Sequence, residues 1–355
     1  MNGDFYFVVG LMSGTSLDGI DFVYVKFDKK NYTNFELLAS KTVDYSDLWK
    51  IELQKAISYS EEKLKQLNVA YGVLLGEEVN EFIKEFKVDH IDFVASHGHT
   101  ILHQPEKRIT LQIGDGQVIA NLTKKKVVCD FRTQDVKLGG QGAPLVPIGD
   151  DLLFSDSDYC LNLGGFSNIS FKKNGKRIAF DICPVNIVLN HYANKIGLPY
   201  DESGYVAQKG VVNQELLEEL NSLEFYSLNA PKSLGLEWVQ KEIFPLIDTF
   251  EMEVSDILRT FVQHVACQIS KVISNSNSVL ITGGGAFNCF LIKQIEELSG
   301  NKIRLPNNRI INFKEALIFA FLGVLKVDNQ VNCLSSVTGA KKDHSSGVIF
   351  YPKEF

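Results

Sequence analysis

Two early stretches of the chain show strand patterning. Phe5 to Leu11 is an apolar run that predicts a buried strand, and Ile20, Phe22, Tyr24 and Lys26 alternate with Asp21, Val23, Val25 and Phe27 in a second strand. The period changes between Ser46 and Phe86. There Leu64, Leu67, Tyr71, Leu74 and Leu75, then Val79, Phe82, Ile83 and Phe86, recur at spacings of three and four, which predicts covering helices. Short apolar strands follow at Ile91 to Ala95, at Thr110 to Ile113 before Gly114-Asp115-Gly116, and at Val127 to Cys129. The stretch from Leu138 to Pro147 is rich in breakers and reads as a loop between domains.

Beyond that loop the opening arrangement recurs. Tyr159 to Leu163 predicts a strand, Gly164 to Asn168 a turn and Ile169 to Lys172 a returning strand, about 150 residues after the first such device, as a duplicated domain would give. Arg177 to Phe180 predicts a strand ending at Asp181, with a helix from Val185 to Ile196 opened by Pro184. Ser255 to Ser274 is an amphipathic helix, and it feeds a strand from Ser278 to Thr282, the run Gly283-Gly284-Gly285 and a helix from Phe287 to Leu298. A last apolar helix, opened by Glu315 and running to Val324, contains small residues that permit close packing.

A chain of 355 residues exceeds one comfortable core, so two domains are expected: residues 1–135 with about 312–355, and about 136–311. Hydrophobic residues at 45% and charged residues at 22% describe a folded globular protein. A net charge of -7 and a pI near 5.6 argue against nucleic acid as the main partner. No basic region precedes the first apolar residues, and no apolar run approaches the roughly 18 residues of a spanning helix, so a cytoplasmic protein without a membrane partner is expected. Six cysteines without a C-x-x-C pair read as reduced, packed thiols.

The first loop, Met12 to Gly19, joins glycines that let backbone N–H groups turn inward to the hydroxyls of Ser13, Thr15 and Ser16. That is phosphate-cradle chemistry, although an ordinary hairpin turn is the plainer reading of the loop alone. It is not a P-loop, because it has no Gly-Lys-Ser/Thr ending and returns into a strand. Two such cradles facing each other across a cleft would grip a triphosphate. Asp181 is either a base held near a helix's positive end or a plain N-cap. His97, His99 and His103 invite a metal reading, but no cysteine or carboxylate accompanies them at ligand spacing, which favours a polar cleft lining. Arg132 and Asp135 stand just past a strand, where α/β sheets keep ligand contacts, or form a mere ion pair. Glu315 suits a helix dipole. The three glycines at 283–285 would let a flat adenosine approach the backbone, yet G-x-G-x-x-G spacing is absent.

The strings GLMSGTSLDGID, SHGHTILHQP, LQIGDGQVIA, DFRTQD, GGQGAPLVP, LNLGGFSNIS and ITGGGAFN, in this order over nearly the whole chain, resemble the motifs of the anhydro-N-acetylmuramic acid kinase family. That family sits within the actin, sugar-kinase and heat-shock-chaperone ATPase superfamily. The resemblance implies an α/β, two-lobed actin-like fold and an ATP- and magnesium-dependent enzyme of peptidoglycan recycling, commonly a homodimer. Such an enzyme opens the 1,6-anhydro ring with water and phosphorylates O6. The resemblance also implies residue roles. Asp181 would activate the water, and Gly14, Thr15, Ser16, Leu17, Asp18, Gly19, Ile20 and Asp21 would hold phosphates. Asn162, Gly164, Gly165 and Asn168 would complete the nucleotide site, with Gly283, Gly284 and Gly285 at the adenosine. His97, Arg132, Asp135 and Glu315 would line the sugar side.

Some positions depart from the family pattern. His99 stands where a glutamine is usual, and Asp181-Ile182-Cys183-Pro184-Val185-Asn186 replaces Asp-Thr-Gly-Pro-Gly-Asn. Phe287 replaces a polar residue, and Leu234 and Leu236 replace a threonine and an arginine. An ATPase switch or polymer, and a catalytically silent sugar or nucleotide sensor, are the alternatives from other classes.

Overall fold

The computed structural model describes residues 3–14, 17–273 and 278–353. The chain forms two compact units, Met1–Phe154 with Phe313–Phe355, and Ser155–Asn312. Residues 136–154, expected in the second domain, therefore belong with the first. The breaker-rich stretch is tied there by backbone bonds, from Gln141 N–H to Thr338 O (2.8 Å) and from Lys341 N–H to Leu138 O (3.1 Å).

In the first unit β1 (Phe5–Ser13), β2 (Gly19–Asp28) and β3 (Phe35–Asp44) form an antiparallel meander. Helices α1 (Asp47–Lys55) and α2 (Glu61–Glu85) follow, each opened by a serine, Ser46 or Ser60, whose side chain caps the first turn. Strand β4 (Phe93–Ser96) lies parallel to β1, and a ribbon of β5 (His99–Gln104) and β6 (Ile109–Ile113) stands apart as its own two-stranded sheet. The Gly-Asp-Gly turn starts α3 (Gly116–Thr123), with Asp115 as N-cap to Gln117 and Val118 N–H. Strand β7 (Val127–Cys129) lies parallel to β4.

The second unit repeats this plan. Strands β8 (Tyr159–Leu163), β9 (Phe166–Lys173) and β10 (Lys176–Pro184) form a meander, and β11 (Val279–Thr282) and β12 (Ile303–Arg304) continue it in parallel from β8. The sheets read β3-β2-β1-β4-β7 and β10-β9-β8-β11-β12, the same order and the same strand senses, so the duplication expected from two similar hairpins extends to the whole sheet. Helices α4 (Asn186–Asn194), α5 (Val254–Ile273) and α6 (Cys289–Ser299) pack together, with α5 burying Leu258, Phe261, Val265 and Ile269 in this unit's core. That is the apolar stripe its spacing predicts.

Helix α7 (Asn308–Val327) starts earlier than its apolar run suggests, and Phe313 interrupts it with non-helical backbone (φ -115°, ψ 15°). Glu315 thus stands on the first turn after the break, inside α7. From Ala316 to Leu325 the helix is buried all round. Its small residues bring it against the sheet: a Cβ on Gly10 would sit 2.5 Å from Ala316 O, and one on Gly323 would sit 2.7 Å from the Phe93 ring. Strand β13 (Val348–Phe350) closes the first sheet antiparallel to β7. All six cysteines are free thiols.

Candidate active site

The second unit carries the residues expected at the adenosine and along the second hairpin, Asn162 to Asn168 and Gly283 to Gly285. Asp181 on β10 pairs with Asn168 on β9, Asn168 with Asn162 on β8, and Asn162 with Thr282 on β11. Directly paired residues share a face of the sheet, so one rung carries a carboxylate, two amides and a hydroxyl side by side. Thr282 leads into Gly283, whose φ of +83° with ψ of 165° is backbone that only glycine adopts readily. A Cβ there would also lie 2.5 Å from Asn162 Oδ1. Gly285 presses equally close on Leu163, and the Asn186 amide donates to Leu163 O at 3.4 Å. The β8–β9 turn and the glycine run are therefore one packed assembly. Its outward positions are open: a Cβ on Gly164, Gly165 or Gly284 would meet nothing nearer than 3.4, 3.8 and 3.7 Å respectively. Bare backbone beside two amide side chains fits a flat, polar nucleotide.

Asp181 itself is placed differently from expectation. The strand runs on through Ile182 and Cys183 to Pro184, with a bulge between Asp181 and Cys183, so the carboxylate is in a strand and not at a helix start. Proline is tolerated because β10 is an edge strand. The first amides of α4 are already taken, Asn186 N–H by Gly164 O and Ile187 N–H by Gly165 O, and offer Asp181 no positive end. Its partner is instead the loop at 232–234. Leu234 N–H donates to Asp181 Oδ2 at 2.8 Å, and Asp181 N–H donates to Lys232 O at 3.0 Å. Burial raises the carboxyl above its ordinary pKa, and the Leu234 bond offsets part of that rise. A half-buried carboxylate with raised pKa is a stronger base than one in water. The unusual residues around it lie elsewhere: Ile182, Cys183 and Val185 are in the core, and Leu234 touches Asp181 through backbone.

In the first unit, β4 ends in Ser96 and leads into His97, Gly98 and His99. Arg132 Nε donates to His97 Nε2 at 2.9 Å, which leaves the proton on Nδ1, directed to Gly98 O at 2.8 Å. Burial first, and the Arg132 charge second, hold His97 neutral, well below the usual histidine pKa. Arg132 also donates to Gly142 O at 2.7 Å, and burial brings its pKa down to about 10 against the opposing charge of Glu315. The Glu315 side chain is open to solvent, yet the crowding of protein atoms raises its carboxyl above the ordinary range while Arg132 and Lys314 pull it down. His97, Arg132 and Glu315 are thus one electrostatic group. The three histidines do not converge: His99 packs against the Tyr45 and Tyr71 rings, and His103 bonds to Thr110 Oγ1.

Asp135, expected to line the sugar side, is completely buried. It accepts from Gly142 N–H (2.7 Å), the Thr338 hydroxyl (2.7 Å) and the Cys333 thiol (3.0 Å). Its role in the structure is to hold the Gly142 loop, and through Gly142 O the guanidinium of Arg132.

The first loop closes the β1–β2 hairpin as expected, with Leu17 in left-handed backbone (φ 61°) and Asp18 exposed; Thr15 and Ser16 lie outside the described residues. Gly14 sits beside Ser13, whose hydroxyl donates to Gly98 O at 2.8 Å and so links the loop to the His97 turn. Gly19 serves packing, since a Cβ would lie 2.5 Å from Val43 O, and Ile20 buries its side chain in the core. Asp21 is half-buried on β2, accepting from Thr42 Oγ1 at 2.6 Å, with its pKa raised by burial and by Asp18. Its charge is also felt at Glu315. Carboxylate oxygens of this kind suit magnesium shared with phosphate. Sequence reading gave no role to Asn186, Gly142 or the Leu234 backbone, although Asn186 stands two residues beyond Pro184 and Gly142 lies within the GGQGAPLVP string.

The family model for anhydro-N-acetylmuramic acid kinase matches residues 6–352. An anhydro-N-acetylmuramic acid kinase of Bacillus cereus is 34% identical over 98% of this chain and 99% of its own, and that of Haemophilus influenzae is 34% identical over 98% of each. The Vibrio cholerae enzyme is 33% identical over 97% of this chain and 98% of its own. Among solved structures, Plasmodium falciparum glycerol kinase with ADP aligns with 98% of this chain and 94% of its own at a TM-score of 0.44 and 10% identity. With a matching family model and relatives above 30% identity along its whole length, the chain belongs to the anhydro-N-acetylmuramic acid kinase family.

Proposed function

We propose that this chain is an ATP-dependent kinase that opens the 1,6-anhydro ring of anhydro-N-acetylmuramic acid with water and phosphorylates O6, yielding N-acetylmuramic acid 6-phosphate and ADP. The supporting observation is the rung that runs from Asp181, a carboxylate of raised pKa, through two amides to Thr282, which leads into the glycine run. Asp181 takes a proton from water as the water oxygen bonds to the anomeric carbon. The bond from that carbon to the bridging oxygen breaks, and the freed O6 takes the terminal phosphoryl group of ATP. Asn162, Gly164, Gly165, Asn168 and Gly283 to Gly285 receive the nucleotide. Gly14, Leu17, Asp18, Gly19 and Asp21, with the hydroxyls of Thr15 and Ser16, receive phosphates.

His97, Arg132 and Glu315 address the sugar, with Asp135 holding Arg132 in place. Magnesium, held by Asp21 and Glu315 together with phosphate oxygens, would neutralise charge spreading over the transferred group. No helix among the described residues is long and apolar enough to cross a membrane. A cytoplasmic homodimer acting in peptidoglycan recycling accords with this function. ADP release measured with ATP and magnesium, with and without the anhydrosugar, tests it: ADP is expected only when the sugar is present. Equal release without sugar would assign the chain to ATPase switches instead.

A further inference from the structure

Asp135, Cys333 and His344 are all buried and bring one potential ligand atom each to within 4.8 Å of the others. Cys333 and His344 face each other across an isolated antiparallel bridge, with Cys333 N–H on His344 O (3.1 Å) and His344 N–H on Cys333 O (3.2 Å), so their side chains leave on the same side. Asp135 Oδ1 accepts the Cys333 thiol at 3.0 Å. His344 Nε2 lies 3.6 Å from that same oxygen, too far for a hydrogen bond, and has no hydrogen-bond partner among the described residues although His344 is only 6% exposed. The other ring nitrogen, Nδ1, donates to Lys342 O at 3.1 Å, so in the neutral ring Nε2 is the acceptor, and it faces the carboxylate and the thiol. A cation shared by this nitrogen, the carboxylate and the thiol would satisfy all three.

We propose that Asp135 Oδ1, Cys333 Sγ and His344 Nε2 are the protein ligands of a structural zinc ion, separate from the magnesium of phosphoryl transfer. Tetrahedral zinc, with bonds of about 2.0–2.3 Å, sets its ligands about 3.3–3.6 Å apart, against 3.0 and 3.6 Å from Asp135 Oδ1 to the thiol and the imidazole, with all three atoms within 4.8 Å. One sulfur, one nitrogen and one oxygen suit a borderline ion such as zinc, whereas magnesium and calcium take oxygen alone. Without metal, burial and the neighbouring Asp135 hold the Cys333 thiol protonated, well above its usual pKa. On binding, the sulfur–zinc bond forms and that proton leaves to solvent. The Nδ1–H bond to Lys342 O fixes the ring orientation, as outer partners of metal-bound histidines do. The ion would pin the 333–344 segment to the carboxylate that holds Gly142, and hence to the loop whose Gly142 O receives the Arg132 guanidinium.

The test uses the full chain equilibrated with zinc, desalted, and assayed by inductively coupled plasma mass spectrometry, beside a sample equilibrated with cobalt(II) and read by absorption. About one zinc per chain is expected, with a near-ultraviolet thiolate-to-cobalt band and strong visible bands of a tetrahedral ion. Cys333→Ser and His344→Gln, checked for folding by circular dichroism, should each retain at least about tenfold less zinc and lose the thiolate band. If either variant does not fold, the cobalt spectrum of the unaltered chain decides. No retained zinc and no thiolate band in the unaltered chain would overturn the site, as would zinc retained undiminished in both folded variants.

Discussion

Replacing Asp181 by asparagine separates charge from shape. Asp181 Oδ2 accepts Leu234 N–H at 2.8 Å, and the asparagine oxygen can accept the same bond, so the loop at 232–234 keeps its anchor. A charge-assisted bond becomes a neutral one, a loss of about 1 kcal/mol. Against that stands the desolvation that raises this carboxyl above its ordinary pKa. A carboxyl with a higher pKa folded than unfolded binds protons more readily in the folded state. Its ionised form therefore disfavours folding as pH rises through and above the folded pKa, and the neutral amide removes that penalty. The two effects oppose each other, so the unfolding midpoint should move by no more than about 3 °C. Catalysis has no such compensation: loss of a general base should lower kcat by about 10²–10⁴-fold, equivalent to about 2.7–5.5 kcal/mol. The assay is ADP release at saturating ATP and anhydrosugar, run beside thermal unfolding of the same preparations. A folded Asp181→Asn protein with kcat within about threefold of the unaltered chain would remove Asp181 from the mechanism.

Gly283→Ala forces a side chain into left-handed backbone and against Asn162 Oδ1 at 2.5 Å, so unfolding should show about 1–3 kcal/mol of lost stability, whereas Gly284→Ala, with open space, should leave stability unchanged and raise the KM for ATP. Arg132→Lys cannot bridge His97 Nε2 and Gly142 O together, and kcat/KM for the sugar should fall about 10- to 100-fold while the KM for ATP holds. Burial lowers His99 from 6.5 to about 4, so the folded chain binds fewer protons than the unfolded chain between those values. Its contribution is nil above pH 6.5 and grows to about 3 kcal/mol of lost stability by pH 4; His99→Gln should flatten the acid limb of denaturation curves by one proton. An unchanged slope in that variant would show that His99 is not the group being titrated.

Local patterning made the paired hairpins legible: the apolar run Phe5 to Leu11, the alternation from Ile20 to Phe27 and the recurrence of strand, turn and strand from Tyr159 to Lys172 pointed to a duplicated domain. Asp181 was recognised as a residue, but its setting was not, because Ile182 and Cys183 read as well in a helix approach as in an edge strand that bulges. The start of α7 escaped notice since the break at Phe313 shifts its apolar stripe. The buried state of Asp135 could not be read at all, because its partners Cys333 and Thr338 lie 198 and 203 residues further along the chain. Likewise nothing in the spacing of Cys333 and His344 announces Asp135, whereas His97, His99 and His103, close in sequence, point to three different surroundings.

The central claim is that one turnover couples ring opening by water to phosphorylation of O6, with Asp181 as the base. Mass spectrometry of the sugar after incubation with the chain, ATP and magnesium reads it directly. A product heavier than anhydro-N-acetylmuramic acid by one phosphate group and one water, formed by the unaltered chain and not by Asp181→Asn, is predicted. Recovery of unchanged sugar alongside released ADP, or of a phosphorylated sugar with its anhydro ring intact, would contradict it.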